Sequence, residues 1–198
     1  MDLKCKHFNW GPLLCSFKVP NNIISLLLKH SPREKTYRDA LAATIKEEFT
    51  YPDHIFLKYL LLYFDAYTIM MKRLGYILKN KEKRKIKLNV AWINYMVAGD
   101  FNPPHIHSPG HFSCVLFLQI PEELKKENKE YIGTSHAGPG GIIFRYGENG
   151  IFNRTAYEFF PEVGDFYIFP SDLVHWVFPF KSKGKRISIS ANFRFDEK

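Results

Sequence analysis

Residues 87–97 read KLNVAWINYMV and residues 112–120 read FSCVLFLQI, and these two apolar stretches decide the fold class. Alternate positions of the first stretch share one face of an extended chain, and they are Leu88, Val90, Trp92, Asn94 and Met96. The second stretch is apolar almost throughout, which is typical of a strand buried on both faces. We therefore predict two strands that belong to the core of a β-sheet protein.

Strand signals continue through the second half of the chain. We predict further strands over residues 142–146, 156–160, 165–169, 174–180 and 186–195. Turn sequences rich in glycine separate them, such as GPGG at residues 138–141 and GENG at residues 147–150. About eight short strands with turns at close intervals predict a β-sandwich or a β-barrel.

Helical signals fill most of the first half. We predict a strand and two helices there, over residues 10–19, 23–29 and 53–75. In the longer helix, Tyr59, Leu62 and Ile69 recur at helical spacing, and Gly75 is placed to end it. We expect these helices to pack against one outer face of the strand region.

Composition gives no sign of a second domain. The chain has 198 residues, of which 45% are hydrophobic and 24% are charged, and it contains neither a repeat nor a low-complexity tract. We therefore predict a single domain over residues 1–198, in which residues 1–85 form a helical support region and residues 86–195 form the β core.

The chain is basic, with a formal net charge of +8 and a pI of about 9.3. Much of this charge lies between residues 72 and 87, which we interpret as a helix end and a solvated connection. A positive charge favours contact with phosphates or with an acidic protein. Aromatic residues are not interleaved with the basic run, however, so nucleic acid is not the favoured partner. A homodimer is compatible with the sequence.

Three cysteines, Cys5, Cys15 and Cys114, indicate a reducing compartment. An odd number without C-x-x-C spacing is typical neither of a disulfide framework nor of a thiolate zinc site. The N-terminus lacks the apolar run of a signal peptide. The most apolar segment, residues 59–71, contains Asp65 and is too short to span a bilayer. We expect a cytoplasmic protein without membrane association.

Candidate metal ligands lie in two distant segments. In the segment NPPHIH at residues 102–107, His105 and His107 are two positions apart, so on an extended chain both side chains point the same way. Alone, such a pair is more often found in packing or on a surface. His175 lies far along the chain at the start of a predicted strand, and it would supply the third ligand of a facial metal site.

The last predicted strand offers a clamp for a carboxylate. Alternation places Arg186, Ser188, Ser190 and Asn192 on one face of this strand. A planar guanidinium can pair with both oxygens of a carboxylate, and the hydroxyl of Ser188 can add a further hydrogen bond. The plainer alternative is a salt bridge between Arg186 and a nearby acidic side chain.

Together, these segments resemble the 2-oxoglutarate/Fe(II) oxygenases of bacteria and tailed phages, within the prolyl-hydroxylase-like superfamily. The resemblance covers residues 86–195 and rests on WINY (92–95), NPPHIH (102–107), FSCV (112–115), FPSDLVH (169–175) and RISISAN (186–192). It implies a double-stranded β-helix, or jelly roll, with Fe(II), 2-oxoglutarate and O2. It also implies hydroxylation of a substrate with release of succinate and CO2, in the host cytoplasm if the protein is encoded by a phage.

The resemblance implies roles for individual residues. His105 and His175 take the places of the two metal-binding histidines of the family. Arg186 takes the place of the basic residue that binds the distal carboxylate of 2-oxoglutarate, with Ser188 as its companion. Asn94 is placed to contact the cosubstrate as well.

The sequence departs from the family pattern at His107. Most members have an aspartate there, as the last residue of an H-x-D motif, so this site would contain three neutral histidine ligands. Its Fe(II) complex would then carry one more positive charge. His111, four residues further on, is an alternative third ligand.

Two other classes of protein stay compatible with the sequence. One is a cupin-like metalloenzyme with three histidines that does not use 2-oxoglutarate and would not need Arg186 or Ser188. The other is a non-enzymatic basic jelly-roll binding module with incidental histidines. The substrate is equally open among a peptide side chain, a nucleobase and a small metabolite.

Residues 121–141 combine a charge run with a glycine-rich end, and we interpret them as a long loop that is either a lid or an inert surface excursion. The aromatic candidates for the lining of a dry pocket are Phe112, Phe117, Phe144, Phe169 and Trp176.

Overall fold

A computed structural model describes residues 11–76, 85–108, 110–131 and 136–195. Within these ranges the chain forms ten β-strands and three α-helices. The predicted features at Cys5 and in the basic stretch at residues 77–84 lie outside them.

All strand pairs are antiparallel. The strands are β1 (Cys15–Lys18), β2 (Glu48–Thr50), β3 (Ile86–Met96), β4 (Asn102–His105), β5 (Phe112–Gln119), β6 (Ile142–Arg145), β7 (Ala156–Phe159), β8 (Asp165–Pro170), β9 (Val174–Val177) and β10 (Arg186–Phe195). They form a six-stranded sheet of order β1-β8-β5-β10-β3-β2 and a four-stranded sheet of order β4-β9-β6-β7.

The inner faces of the two sheets share one apolar core. It contains Phe117 and Tyr167 of the larger sheet together with Ile142, Phe144 and Val177 of the smaller one. Alternation explains this arrangement, because every second side chain of a strand points to the same face. The two sheets thus enclose a jelly-roll barrel.

A second core lies on the outer face of the larger sheet, where two helices cover it: α1 (Asn21–Lys29) and α2 (Asp53–Arg73). Phe64 of α2 is fully buried, and its ring centroid lies 3.9 Å from that of Phe193 and 6.0 Å from that of Phe166. The prediction of a mainly β jelly roll with helices on one outer face is confirmed. None of the described helices is long and apolar enough to cross a membrane.

Helix α2 begins at the predicted residue, ends two residues before the predicted end, and buries the face that carries its phenylalanines. Phe56, Leu60 and Phe64 are fully buried, whereas Leu62 and Ile69 are 60% and 55% exposed. Both sets of residues have helical spacing, and the set that contains the larger aromatic rings faces the sheet because it removes more apolar area from water. The helix ends at Arg73, and Gly75 follows its C-cap with φ of 77°, in agreement with the predicted role of Gly75 as a terminator.

The alternation in β3 is interrupted by a bulge. Asn192 of β10 pairs with Val90 and the next residue, Phe193, pairs with Leu88, so Asn89 is an extra residue on β3. Leu88 therefore packs in the outer core with Phe193. The prediction that Leu88 shares a face with Trp92 is wrong for this reason.

Residues 122–129, predicted as part of a long loop, form a helix instead: α3 (Glu122–Lys129). Pro121 precedes it, glutamates occupy its first turn and lysines occupy its last turn. This order of charges stabilises the helix through its dipole. Leu124 is fully buried and anchors the helix in the inner core. The helix was not predicted because its sequence is almost entirely charged or polar and contains a single buried apolar residue.

The region before residue 86 also contributes two strands to the larger sheet. β1 pairs with β8, and β2 pairs with β3 at the opposite edge. Residues 35–37 lie along the free side of β2, where Thr50 N–H donates to the Lys35 carbonyl and Tyr37 N–H donates to the Glu48 carbonyl, both at 2.9 Å. This edge of the sheet borders the site described next.

Candidate metal centre

Strand pairing in the smaller sheet brings the distant histidines together. β4 and β9 are antiparallel neighbours, and His105 is directly opposite His175 in their register. Residues in this position project to the same side of a sheet with their Cβ atoms about 5 Å apart. His107 follows β4, and its N–H donates to the Ser171 carbonyl at 2.8 Å. The loop before β9 thereby holds His107 beside His175.

Each of the three histidines offers one nitrogen, and these three atoms lie within 4.8 Å of one another. Nε2 of His107 is 3.2 Å from Nε2 of His175. Nδ1 of His105 is 2.7 Å from the Pro103 carbonyl, and Nδ1 of His175 is 2.9 Å from the Leu173 carbonyl. A carbonyl only accepts hydrogen bonds, so Nδ1 carries the proton in both rings. Their Nε2 lone pairs are thus available to a metal ion.

Burial keeps these imidazoles neutral. Removal from water lowers the pKa of His107 to about 3, with a smaller contribution from His105. It also lowers the pKa of His105, and it holds that of His175 well below its ordinary value. Neutral imidazoles are the form that binds metals, so no proton has to leave before an ion is bound near neutral pH.

His111, the alternative third ligand, lies elsewhere. Its Nδ1 accepts the Phe195 N–H at 3.1 Å, and its ring centroid lies 5.4 Å from that of Phe195. The converging group consists of His105, His107 and His175. Of the two candidates for the position of the usual aspartate, the fold brings His107 to the other two histidines.

Arg186 of β10 is buried and forms no ion pair with any acidic side chain that the structure describes. Its side chain is 2% exposed, and its Nε and Nη2 atoms have no hydrogen-bond partner among the described residues. The guanidinium lies 4.5 Å over the Phe117 ring, and Nη1 is 3.5 Å from Sδ of Met96. Burial lowers the pKa of Arg186 to about 9. The alternative of a local salt bridge is wrong within the described part of the chain.

Unpaired N–H groups of a buried guanidinium are costly, because their hydration has been lost without replacement. They therefore fit an anion, and two parallel N–H groups match a carboxylate. Three neutral imidazoles at one point similarly fit a divalent transition metal. The three histidines thus fit a metal ion, and Arg186 fits a cosubstrate with a carboxylate group.

The same cavity connects these groups. It has a volume of about 190 Å³. Its polar lining includes the three histidines, Arg186, Ser188, Ser190, Asn192 and Asn94. Nδ2 of Asn94 is 3.5 Å from Oγ of Ser188 and 3.4 Å from Oγ of Ser190, both long hydrogen bonds that a ligand oxygen could replace.

The five aromatic residues predicted to line a pocket lie in different parts of the barrel, and only one of them is in the cavity lining. Phe169 lines the cavity, and the Phe144 ring is stacked near His175 with centroids 6.0 Å apart. Phe117 lies under Arg186. Phe112 packs against the helix side, in contact with Tyr67. Trp176 alternates with the inward residues of β9 and is not in the cavity lining.

Another part of the cavity wall comes from a segment in which no site residue was predicted. It consists of Tyr37, Ala40, Leu41, Ala42, Ile45 and Glu48. Glu48 is 1% exposed. The sequence gives little sign of this, because glutamates are rarely buried and the strand that holds Glu48 has three residues. The alternation of Phe49 and Tyr51 with Glu48 and Thr50 is the one local signal.

Comparison with known proteins agrees with this geometry. A profile of the family described as "Putative 2OG-Fe(II) oxygenase" matches residues 90–192, which is more than half of the chain. The interval includes all three histidines, Arg186 and Ser188. No curated protein matches the sequence.

Solved structures share the fold at low sequence identity. A prolyl-4-hydroxylase of Pseudomonas putida has a TM-score of 0.57 at 15% identity, with 93% of each chain covered. A collagen prolyl hydroxylase of Paramecium bursaria Chlorella virus-1 has a TM-score of 0.56 at 11% identity, with 91% of this chain and 94% of that chain covered. A prolyl hydroxylase of Trichoplax adhaerens, solved with a hypoxia inducible factor peptide, has a TM-score of 0.58 at 14% identity, with 91% and 83% covered.

Proposed function

This chain belongs to the 2OG-Fe(II) oxygenase family, and on that premise we propose that it hydroxylates its substrate at an iron held by His105, His107 and His175. Members of the family are oxidoreductases that use Fe(II), 2-oxoglutarate and O2, so this protein is an enzyme with these three requirements. Neither a non-enzymatic binding module nor an enzyme without 2-oxoglutarate agrees with that membership.

When bound, iron and 2-oxoglutarate would supply the oxidation: 2-oxoglutarate would lose CO2 and take up one oxygen atom of O2 to become succinate, and the other oxygen atom would enter the substrate. The chain contributes binding and orientation. The neutral Nε2 atoms of the histidines would hold the ion on one side, since the carbonyls of Pro103 and Leu173 fix two of the rings through Nδ1. The opposite side of the ion would stay open toward the cavity.

Arg186 would bind the distal carboxylate of 2-oxoglutarate. The buried guanidinium has two N–H-bearing atoms without a partner, and Phe117 and Met96 pack around it and fix its position. Ser188 is two residues further along the same face, and its hydroxyl would add a hydrogen bond to the same carboxylate. Asn94 would contact the cosubstrate from the neighbouring strand.

One observation carries this proposal: a buried arginine without a hydrogen-bond partner for Nε and Nη2 among the described residues shares a small cavity with three converging neutral histidines. A metal site alone would explain the histidines. It would leave the cost of burying Arg186 unexplained, whereas a dianionic cosubstrate accounts for both features.

For the substrate, we propose the side chain of a peptide. The support is that structural neighbours include prolyl hydroxylases described with collagen and with a hypoxia inducible factor peptide. A free small molecule is the second candidate, because the cavity is small.

The test is an anaerobic titration of the metal-free protein with Fe(II) and then with 2-oxoglutarate, followed by the visible charge-transfer band of the chelated cosubstrate. We expect a band in the wild type and none in His175→Ala or Arg186→Ala. The matched controls are His54→Ala and Arg194→Ala, since both residues are exposed and Arg194 lies on the same strand as Arg186. These controls should retain the band.

Stoichiometric iron binding without a band in the wild type would refute the role of 2-oxoglutarate. A band that persists in Arg186→Ala would refute the assignment of the clamp and leave the metal assignment standing. Circular dichroism of each variant establishes that it is folded.

A further inference from the structure

Glu48 is a buried acid with an unpaired oxygen in the wall of the cavity. In the register of β2 and β3 it is directly opposite Asn94, so both side chains project to the inner face of the sheet. Its Oε2 atom is buried and has no hydrogen-bond partner among the described residues. A carboxylate is almost never buried unless it is paired, and this one has no paired cation in the described part of the chain.

Two aromatic residues share the cavity wall with this carboxylate. Tyr37 and Trp92 both line the cavity, and their ring centroids are 5.7 Å apart. Tyr37 is held in place because its N–H donates to the carbonyl of Glu48 itself, at 2.9 Å. Trp92 is two residues before Asn94 on β3, on the same inner face. A buried acid in a cavity wall that also contains aromatic rings is a combination suited to organic cations.

The charged residues around Glu48 leave its charge uncompensated. Burial raises the pKa of Glu48 to about 7; the positive charge of Arg38 lowers it, and the negative charge of Asp100 raises it. Arg38 is exposed, and none of the ion pairs between described residues joins it to Glu48. Asp100 is occupied with the N–H of Val97, at 3.0 Å. The described residues thus supply no strong partner for the carboxylate.

We propose that Glu48 is the substrate-anchoring residue and accepts a hydrogen bond from the ammonium group of a lysine side chain or another alkylamine. This inference rests on the proposed function, because the proposed metal and cosubstrate groups line the same cavity as Glu48. A peptidyl proline does not fit this position, since its nitrogen carries no hydrogen and would leave Glu48 unpaired. A primary ammonium is compact enough for a small cavity and has three donors.

The test uses two probes of equal size, n-butylammonium and 1-butanol, with ligand-detected NMR of the full chain. The protein is loaded anaerobically with Fe(II) and 2-oxoglutarate, and a parallel titration uses metal-free protein. We expect the wild type to bind n-butylammonium at least tenfold more tightly than 1-butanol. Glu48→Gln should lose that preference, because an amide cannot form the charge-assisted bond.

Two further variants keep the test sharp. Glu47→Gln is the matched control, since Glu47 is the neighbouring residue and its carboxylate pairs with Lys185 at 2.6 Å, away from the cavity lining. It should bind both probes as the wild type does. Tyr37→Leu removes one aromatic ring from the cavity wall and leaves Glu48 unchanged. It should weaken the binding of n-butylammonium about threefold.

Equal binding of the two probes by the wild type would overturn the proposal, and so would an unchanged preference in Glu48→Gln. Loss of the charge-transfer band in folded Glu48→Gln would also overturn it, because Glu48 would then belong to the iron and 2-oxoglutarate site. Absence of the band in the wild type would instead refute the proposed function. In that case a preference for n-butylammonium that Glu48→Gln abolishes would still support Glu48 as the cation site.

Discussion

Replacing Arg186 with methionine should stabilise the metal-free protein and, in the same variant, remove its affinity for 2-oxoglutarate. Burial lowers the pKa of this guanidinium from 12.5 to about 9. A tenfold change in a protonation equilibrium corresponds to about 1.4 kcal/mol, so the charged side chain is buried at a cost of up to about 5 kcal/mol. Methionine keeps the contacts with Phe117 and Met96 and carries no charge.

Some of that gain is offset by the loss of the cation–π contact with Phe117, which is worth about 1 kcal/mol. We therefore expect the free energy of unfolding to rise by about 1–4 kcal/mol, the range found when buried charges are replaced by apolar side chains. Binding should change in the opposite direction. Two charge-assisted hydrogen bonds of about 1.5–3 kcal/mol each would be lost. This loss should weaken the binding of 2-oxoglutarate by a factor of at least about 100.

Urea denaturation of the metal-free proteins measures the first effect, and the anaerobic titration described above measures the second. Arg194→Met is the control, because Arg194 is exposed on the same strand and its replacement should change neither quantity much. Arg186 is charged in the folded and unfolded states below pH 9, so the stability difference should be constant from about pH 6 to pH 8. A variant that is less stable than the wild type would refute the reasoning, because Arg186 would then be a structural residue.

Three further predictions follow from named contacts. His107→Asp should still bind iron, but its added negative charge should weaken 2-oxoglutarate about tenfold; an unchanged affinity in the anaerobic titration would contradict the charge argument. Burial raises the pKa of Glu48 to about 7, so the folded protein keeps a proton that the unfolded chain releases above about pH 4.5, and stability is lost as the pH rises through this window. In urea denaturation, the free energy of unfolding of the wild type should fall by about 2 kcal/mol between pH 4.5 and 7.5, and that of Glu48→Gln should not show this fall. If the free energy of unfolding has the same pH dependence in both proteins, Glu48 is not desolvated. Phe64→Ala should lower the free energy of unfolding by about 3–5 kcal/mol and Leu62→Ala by less than about 1, since Phe64 is fully buried and Leu62 is 60% exposed; similar losses would mean that α2 packs through another face.

Much of the fold was predictable because its strands are long or strongly apolar. The last strand was predicted over residues 186–195 and is observed over Arg186–Phe195. β2 and β4 were missed as strands for physical reasons. β2 has three residues and begins with an acid, and β4 contains Pro103 and Pro104, which cannot donate to a sheet ladder. Both strands owe their conformation to pairing with a neighbour.

In the candidate site, too, local features were predictable from residue spacing and features that depend on strand pairing were not. The grouping of His105 with His107 follows from two-residue spacing, which is a local rule. The meeting of His105 with His175 depends on the register of β4 and β9, and the resemblance to the oxygenase family anticipated it. Nothing anticipated Glu48, whose burial depends on the pairing of β2 with β3 and on the cover of residues 35–37. The residue that we propose for the substrate was therefore the least visible in the sequence.

The position of β10 has a consequence for how the protein is made. It is the last strand along the described chain, yet it lies in the middle of the larger sheet, between β5 and β3. A ribosome therefore releases β3 and β5 before the strand that joins them exists. Until then each has an unpaired apolar edge of the kind that associates with other nascent chains. Because Arg186 and Ser188 are on β10, the cavity also stays incomplete until synthesis has passed this strand.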